Sequence, residues 1–477
     1  MNILWLMVDQ MRADHLGFAG HPYVQTPNLD RLAARGTVFE NTFVQSPLCG
    51  PSRTSLFSGR YVHEHGVWWN GVPCEEDLPL LPEILRQAGY RTSIVGKLHL
   101  EPAQRTFGFQ ERKLHEELLL DPHGLDAYDN YRTGQSPPVP EPGEATEWDN
   151  RTSGAGVCRV NPACEETAWV ADHACEALEQ ADGEQPFFLY ASFMRPHSPY
   201  NPLPEFLDRY RDTEIEPPPF SPEEWDKLPP RVRATAESWG WDALTPEDFA
   251  EVRRHYAALC TQVDDNIGRI MQTLEQKGLV ENTLIVFTSD HGDFLGEHGL
   301  LFKEHLYDAS LHVPLVIVDP RRQDQPTRYT GLTESIDIMP TVLDLVGVEP
   351  PAGTSGESLT PVLDDPERVH RSHILSEWTT HTVNANRDRV RAACVEPHIA
   401  SVRTQNWKYM HYIDEPGELY DLRTDPGERD NRFGDPDLDD ITASLRDRLP
   451  PSLRRARTWR EPGADNPYFN RQIASVD

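Results

Sequence analysis

Residues 284–293 read L-I-V-F-T-S-D-H-G-D. The apolar run is too short for a helix, and its β-branched and aromatic side chains suit a strand buried on both faces. It ends abruptly in acids and an imidazole. Before it lies a long amphipathic stretch, Phe249–Lys277, closed by Gly278, and glycine is the residue that most readily takes the left-handed turn after a helix. A helix that feeds a doubly buried strand is the repeating unit of an α/β sheet.

The unit recurs along the chain. Ile3–Val8 reads as a strand running into Asp9-Gln10, followed by the helix Pro27–Ala34 ending at Gly36. Leu81–Ala88 is a helix stopped by Gly89, ahead of the strand Arg91–Val95 and then Gly96-Lys97-Leu98-His99. Ala168–Glu179 is helical, and the strand Pro186–Phe193 leads on to Arg195-Pro196-His197. Leu315–Val318 and the helix Ile338–Val346 complete the pattern. The expected fold is α/β, a large mainly parallel sheet sandwiched by helices, over residues 1–360. In residues 361–477, His373–Trp378, Ala400–Thr404 and Trp407–Tyr412 read as antiparallel strands and Asp440–Asp447 as a helix. These predict a smaller C-terminal α+β domain containing an antiparallel sheet. Thr458–Asp477 has no period and reads as an arm available to a neighbouring subunit in a homo-oligomer. Residues 135–165 and 200–247, rich in Pro, Glu and Asp, read as long surface loops or lids.

A net charge of −32 repels phosphate backbones, which excludes nucleic acid and anionic membranes as partners. An anionic substrate would therefore need cations gathered locally. No apolar run approaches the ~20 residues of a membrane helix. Met1-Asn2 lead straight into a strand without a basic segment or a small-residue cleavage site, and the expected compartment is cytoplasmic. Seven cysteines without paired spacing fit reduced thiols better than a disulfide framework.

Four of these strands run directly into polar residues, and open α/β sheets bind ligands beyond their carboxyl ends. Asp9, Gln10, Asp290 and His291 offer oxygen and nitrogen donors suited to a divalent cation. Two ionised carboxylates in one pocket repel unless a cation or proton lies between them. Taken singly, each acid reads equally well as a turn former.

Residues 46–60, S-P-L-C-G-P-S-R-T-S-L-F-S-G-R, add a nucleophile. Pro51 suits a first helical turn, Ser52–Ser58 continue it and Gly59 ends it. Cys49 then lies at a helix N-terminus, where the dipole and free amides favour negative charge, with Arg53 one turn along. A lone cysteine is otherwise a small buried hydrophobe. That is the reading given to Cys74, Cys158, Cys164, Cys175, Cys260 and Cys394.

Cys49-Gly50-Pro51-Ser52-Arg53, followed by Ser58-Gly59-Arg60, closely resembles the C-x-P-S-R…T/S-G-R signature of the formylglycine-dependent (type I) sulfatases of the alkaline phosphatase superfamily. The likeness spans nearly the whole chain: Asp9-Gln10, Thr26–Leu32, Gly96–His99, Arg195–His197, Ser289–Gly292, Gly296–Gly299 leading to Lys303, and Glu418–Leu422 with Asp425–Glu428. It implies that a formylglycine-generating enzyme oxidises Cys49 to an aldehyde, whose hydrate attacks the sulfur of a small-molecule sulfate ester. It further implies a metal site of Asp9, Gln10, Cys49, Asp290 and His291, with calcium usual and manganese admitted by the imidazole. By the same resemblance Arg53 steadies the hydrate and Lys97 and Lys303 bind sulfate. His197 protonates the leaving oxygen, His99 assists elimination and Asn70 meets substrate or forms a turn.

Three other readings compete. Phosphonate monoester hydrolases and phosphodiesterases share the nucleophile and resemble this chain at Asp9-Gln10, Asp290-His291 and Asn70, but typically lack the Lys-x-His element that Lys97 and His99 preserve. A non-catalytic binding protein is opposed by the intact Cys49, Arg53 and ligand set. A zinc or transition-metal protein is prompted by nineteen histidines, but none has a recognised ligand spacing, and His63 and His65 lack further ligands. Trp68, Trp69, Trp239 and Trp241 are candidates for stacking on a ring or a cationic headgroup, or for the core.

Overall fold

The computed structural model describes residues 1–116, 124–140, 144–150, 152–220, 222–322, 327–379, 398–413 and 415–454. Its centre is an eight-stranded sheet built from β1 (Asn2–Asp9), β2 (Thr37–Phe43), β3 (Arg91–Gly96), β4 (Glu111–Leu114), β7 (Phe187–Pro196), β8 (Thr283–Ser289), β9 (His312–Val318) and β10 (Thr327–Glu334). The strand order is β10-β2-β9-β8-β1-β7-β3-β4. A hairpin of β5 (Thr146–Asn150) and β6 (Ala155–Cys158) lies outside it.

β1, β7 and β8 are buried along their whole length, as uninterrupted apolar runs in a two-sided parallel sheet must be. Their register positions the site. Val8 of β1 lies opposite Phe193 of β7 and Ser289 of β8, and Gly96 of β3 lies opposite Ser192 of β7. Four polar strand ends therefore reach one edge of the sheet together.

Helices cover the sheet: α1 (Pro27–Ala33), α2 (Cys49–Ser58), α3 (Leu81–Gln87), α4 (Glu166–Glu179), α5 (Pro230–Trp239), α6 (Pro246–Gln276) and α7 (Ile338–Leu345). α6 starts from a capping box in which Thr245 and Asp248 bond each other's backbone amides. Its apolar face packs on α1, α4 and β7. α2 is different, because all ten of its residues are buried although half of them are polar. The hydroxyls of Thr54 and Ser58 donate to the carbonyls of Gly50 and Thr54, and Ser55 pairs with His65. These bonds remove the cost of burying unsatisfied polar groups.

A second, antiparallel sheet has the order β11 (Ile374–Thr379), β12 (His398–Arg403), β13 (Trp407–Tyr412), β14 (Glu418–Asp421). α8 (Asp439–Arg448) covers it through Leu445, and Leu449 and Leu453 follow against Val402, Tyr409 and Leu419. This sheet is joined to the large one by polar bonds. Glu377 N–H donates to the Gln45 carbonyl, Tyr307 donates to Glu418, and Asp308 lies between Arg403 and Lys408.

Several expectations need correction. Leu315–Val318 belongs to a longer strand, β9, which runs antiparallel to both β2 and β8 while every other pairing in the large sheet is parallel. A run of apolar residues fixes burial but not direction. Residues 135–165 and 200–247 are more than surface loops. Within their described residues they hold β5, β6 and α5, and bury Val160, Tyr200, Tyr210, Val232 and Trp241. Their anchors are single residues spaced by Pro and acids, too sparse to show a period. Cys164 and Cys175 are half-buried and bond Tyr131 and Thr273, unlike the buried Cys74, Cys158 and Cys260. Trp68, Trp69 and Trp241 are core residues, while Trp239 is 52% exposed and stacks on Trp241. Cys394 and the arm Thr458–Asp477 lie outside the described residues.

Candidate active site

The four strand ends and the start of α2 converge. β1 delivers Asp9 and Gln10, the latter in a left-handed conformation with φ 66°. β8 delivers Asp290 and His291. β3 delivers Lys97 and His99, β7 leads to His197, and the segment after Asp293 carries Lys303. Cys49 opens α2, directly after the extended Leu48, and Gly59 closes the helix with φ 64°.

Cys49 Sγ, 1% exposed as a residue, lies 3.1 Å from His291 Nε2 and 3.9 Å from Asp9 Oδ1. Lys303 Nζ and Lys97 Nζ stand 3.6 and 3.8 Å from it. Asp9, Asp290, His291 and Cys49 each place a ligand atom within 4.8 Å of the others. His291 Nδ1 donates to the Gly292 carbonyl at 2.9 Å, which turns the Nε2 lone pair toward the cluster. Burial lowers this imidazole to about 4, so it is neutral near pH 7, as a metal ligand must be.

The acids are balanced by cations. Arg53 is fully buried, and its Nε donates to Asp290 at 2.7 Å while its Nη2 reaches Asp9 at 3.4 Å. Its Nη1 donates to the Lys97 carbonyl and to Ser192. Lys97 also pairs with Asp9 at 2.6 Å. Burial pushes the Asp9 carboxyl up, but Lys97, His197, Arg53 and His291 together hold it well below the usual range. Cys49 moves the other way. Burial and Asp9 raise the thiol to about 12 against Lys303 and Lys97, so an unmodified cysteine here is no thiolate at neutral pH.

Gln10 is held at three points. Its backbone N–H donates to Asp290 Oδ1, its amide nitrogen donates to Asp293 at 2.6 Å, and its amide oxygen accepts from Lys303 at 3.0 Å. Lys303 also bonds His197 Nε2, and His197 Nδ1 pairs with the Ser198 carbonyl. Asn70 Oδ1 accepts the Gly50 N–H at 2.8 Å and so fixes the start of α2. His63 bonds Glu377 and His65 bonds Ser55, in keeping with structural roles.

The structure thus brings Asp9, Gln10, Cys49, Arg53, Lys97, Asp290, His291, His197 and Lys303 into one contact network. His99 joins it through its backbone, at the end of the turn that carries Lys97. Sequence reasoning missed Asp293, which receives Gln10 and Tyr200, and Ser192, which receives Arg53. Asp293 closes the D-H-G-D stretch and was visible there, but nothing in the sequence marks Ser192. The donor set fits a divalent cation: two buried carboxylates, a neutral imidazole nitrogen and an amide oxygen beside the side chain of residue 49.

Solved structures share this architecture. A phosphonate monoester hydrolase of Agrobacterium radiobacter superposes with a TM-score of 0.79 at 28% identity, covering 95% of each chain. Fold and site together define an ester hydrolase of the alkaline phosphatase superfamily. The family model for sulfatases matches residues 1–348, and that for the C-terminal region of N-sulphoglucosamine sulphohydrolase matches residues 296–455. The chain belongs to the sulfatase family, the sulfuric ester hydrolases. It is 31% identical to a choline-sulfatase of Rhizobium meliloti over 91% of this chain and 83% of that protein. It is 30% identical to an arylsulfatase of Clostridium perfringens over 81% and 84%.

Proposed function

We propose that this sulfatase hydrolyses sulfate monoesters of small organic alcohols or phenols, with residue 49 acting as nucleophile after oxidation to formylglycine by a formylglycine-generating enzyme. The observation that carries the reading is the position of Cys49 Sγ, which marks the place of the aldehyde oxygen, between His291, Asp9 and two ammonium groups. Asp9, Gln10, Asp290 and His291 would hold the metal, calcium or manganese, with residue 49 completing the shell. When bound, the ion and the hydrated formylglycine supply an ionised hydroxyl at neutral pH.

The chain's own residues do the rest. Lys97 and Lys303 flank the nucleophile and meet the sulfate oxygens, placing fixed positive charge where negative charge develops. They also reverse, locally, the field of a chain with net charge −32. Arg53 keeps Asp9 and Asp290 ionised side by side. His197 donates Nδ1–H to the Ser198 carbonyl and shares a proton between Nε2 and Lys303. A sulfate ester drawing Lys303 toward itself leaves that proton on His197, which hands it to the departing oxygen. His99 assists sulfate release, and Asn70 steadies the nucleophile through Gly50.

A second reading, a phosphonate monoester hydrolase or phosphodiesterase using the same nucleophile, is favoured by the likeness to the Agrobacterium enzyme and by the Asp290-His291 pair. One experiment separates them. Protein co-expressed with the maturation enzyme, and shown by intact mass to be about 18 Da lighter at residue 49, is assayed on aryl, carbohydrate and choline sulfates beside phosphonate monoesters and phosphodiesters. The proposal expects the highest kcat/KM on a sulfate ester, and a phosphonate or phosphodiester in first place overturns it.

A further inference from the structure

The turn Gly96–His99 carries two of the groups assigned to sulfate, and its backbone is held in a conformation that needs outside support. Gly96 has φ 100°, and a Cβ there would lie 1.8 Å from the Ser192 carbonyl oxygen, so only glycine fits. His99, with a full side chain, sits at φ 55° in the left-handed region, which costs on the order of 1–2 kcal/mol. One end of the turn is pinned by Lys97, whose N–H donates to Ser192 O at 3.1 Å and whose carbonyl accepts from Arg53 at 2.7 Å.

The other end is pinned by one atom. Leu98 N–H and His99 N–H both donate to Glu116 Oε1, at 2.8 and 2.9 Å. Glu116 follows β4, is 8% exposed, and has its own N–H tied to Asp126 at 2.6 Å. Its other oxygen, Oε2, is buried without a hydrogen-bond partner among the described residues. A buried carboxylate with one bare oxygen is costly to keep. Burial also raises this carboxyl to about 7, against the two amides, Lys97 and Arg53. A residue retained merely to close a turn has no need of such a burden, since a neutral amide would accept the same two bonds.

We propose that Glu116 is a positioning residue of the reaction: by clamping the Leu98 and His99 amides on one oxygen it fixes the left-handed turn that sets Lys97 and His99 against the nucleophile. This rests on the sulfate-ester reading above and names a residue that acts only through the turn.

The test uses formylglycine-containing enzyme with 4-nitrophenyl sulfate, and hydrogen exchange of the segment 96–100. Glu116→Ala and Glu116→Asp, which remove or withdraw the acceptor, are expected to lower kcat about 10- to 100-fold with KM changed less than about threefold. Exchange at Leu98 and His99 accelerates in both. Glu116→Gln keeps an acceptor oxygen and is expected to restore kcat to within about threefold of wild type. If Glu116→Ala does not fold, the Asp and Gln variants decide. Wild-type kcat in the Asp variant, unchanged exchange, or a Gln variant as slow as the Asp variant overturns the proposal. Should the wild-type enzyme cleave no sulfate ester, the functional reading fails separately, and unchanged exchange in the variants still overturns the clamp.

Discussion

His291 Nε2 lies 3.1 Å from Cys49 Sγ, while the opposite ring nitrogen is committed to the Gly292 carbonyl. One backbone bond thereby selects the tautomer whose lone pair faces the nucleophile. Residues 242 positions apart in sequence meet because β8 ends at Ser289 beside the start of α2.

Removing the nucleophile should cost activity without unfolding the chain. Cys49→Ala is expected to lower turnover at least ~10³-fold with a thermal midpoint within a few degrees of wild type. Steady-state assays beside a thermal melt check both halves, and turnover at the wild-type rate refutes the assignment of residue 49.

His291 governs which ion binds. His291→Ala should weaken metal binding at least ~10-fold, and His291→Asn should shift preference from manganese toward calcium by offering an oxygen. Calorimetric titration of metal-stripped protein with each ion measures this directly. Equal affinities across wild type and both variants would remove His291 from the ligand set.

Arg53 is both catalytic support and keystone. Replacing it by Met strands Asp9 and Asp290 without their buried partner, and a loss of about 3–5 kcal/mol in unfolding free energy is expected. Denaturant titration of the metal-free protein reads it. A loss below ~1 kcal/mol would mean that the two carboxylates are stabilised chiefly by other groups.

His115 links stability to pH. Burial opposes its charge, but Asp126 and Glu166 raise it to about 10, above the ordinary ~6.5. A raised folded-state value gives stability that is complete below ~6.5 and lost as pH climbs through 10. Wild type should therefore lose on the order of a few kcal/mol between pH 7 and 10 that His115→Gln does not lose. Parallel slopes in the two proteins refute the link.

Much of this site was legible because its chemistry sits at strand ends. Ile3–Val8 and Leu284–Ser289 announce themselves as buried runs, and whatever follows such a run is delivered to the sheet edge. The C-x-P-S-R stretch is local and needs no tertiary information. What stayed hidden depends on non-local pairing. β2 and β10 mix threonines, acids and an arginine with apolar residues and gain their burial only from one another and from β9. The direction of β9 depends on its connections, which composition does not encode. Glu116 and Ser192 act on backbone and guanidinium groups far from them in the chain, and such partners carry no sequence signature.

The complete enclosure of α2 sets the timing of maturation. Cys49, Pro51, Ser52 and Arg53 all face the interior, so an oxidising enzyme that reads those side chains has no access to them once the sheet has closed. Conversion has to precede tertiary assembly, during or just after synthesis. Chains that fold first are then locked as inert thiols, and late addition of the oxidase cannot rescue them.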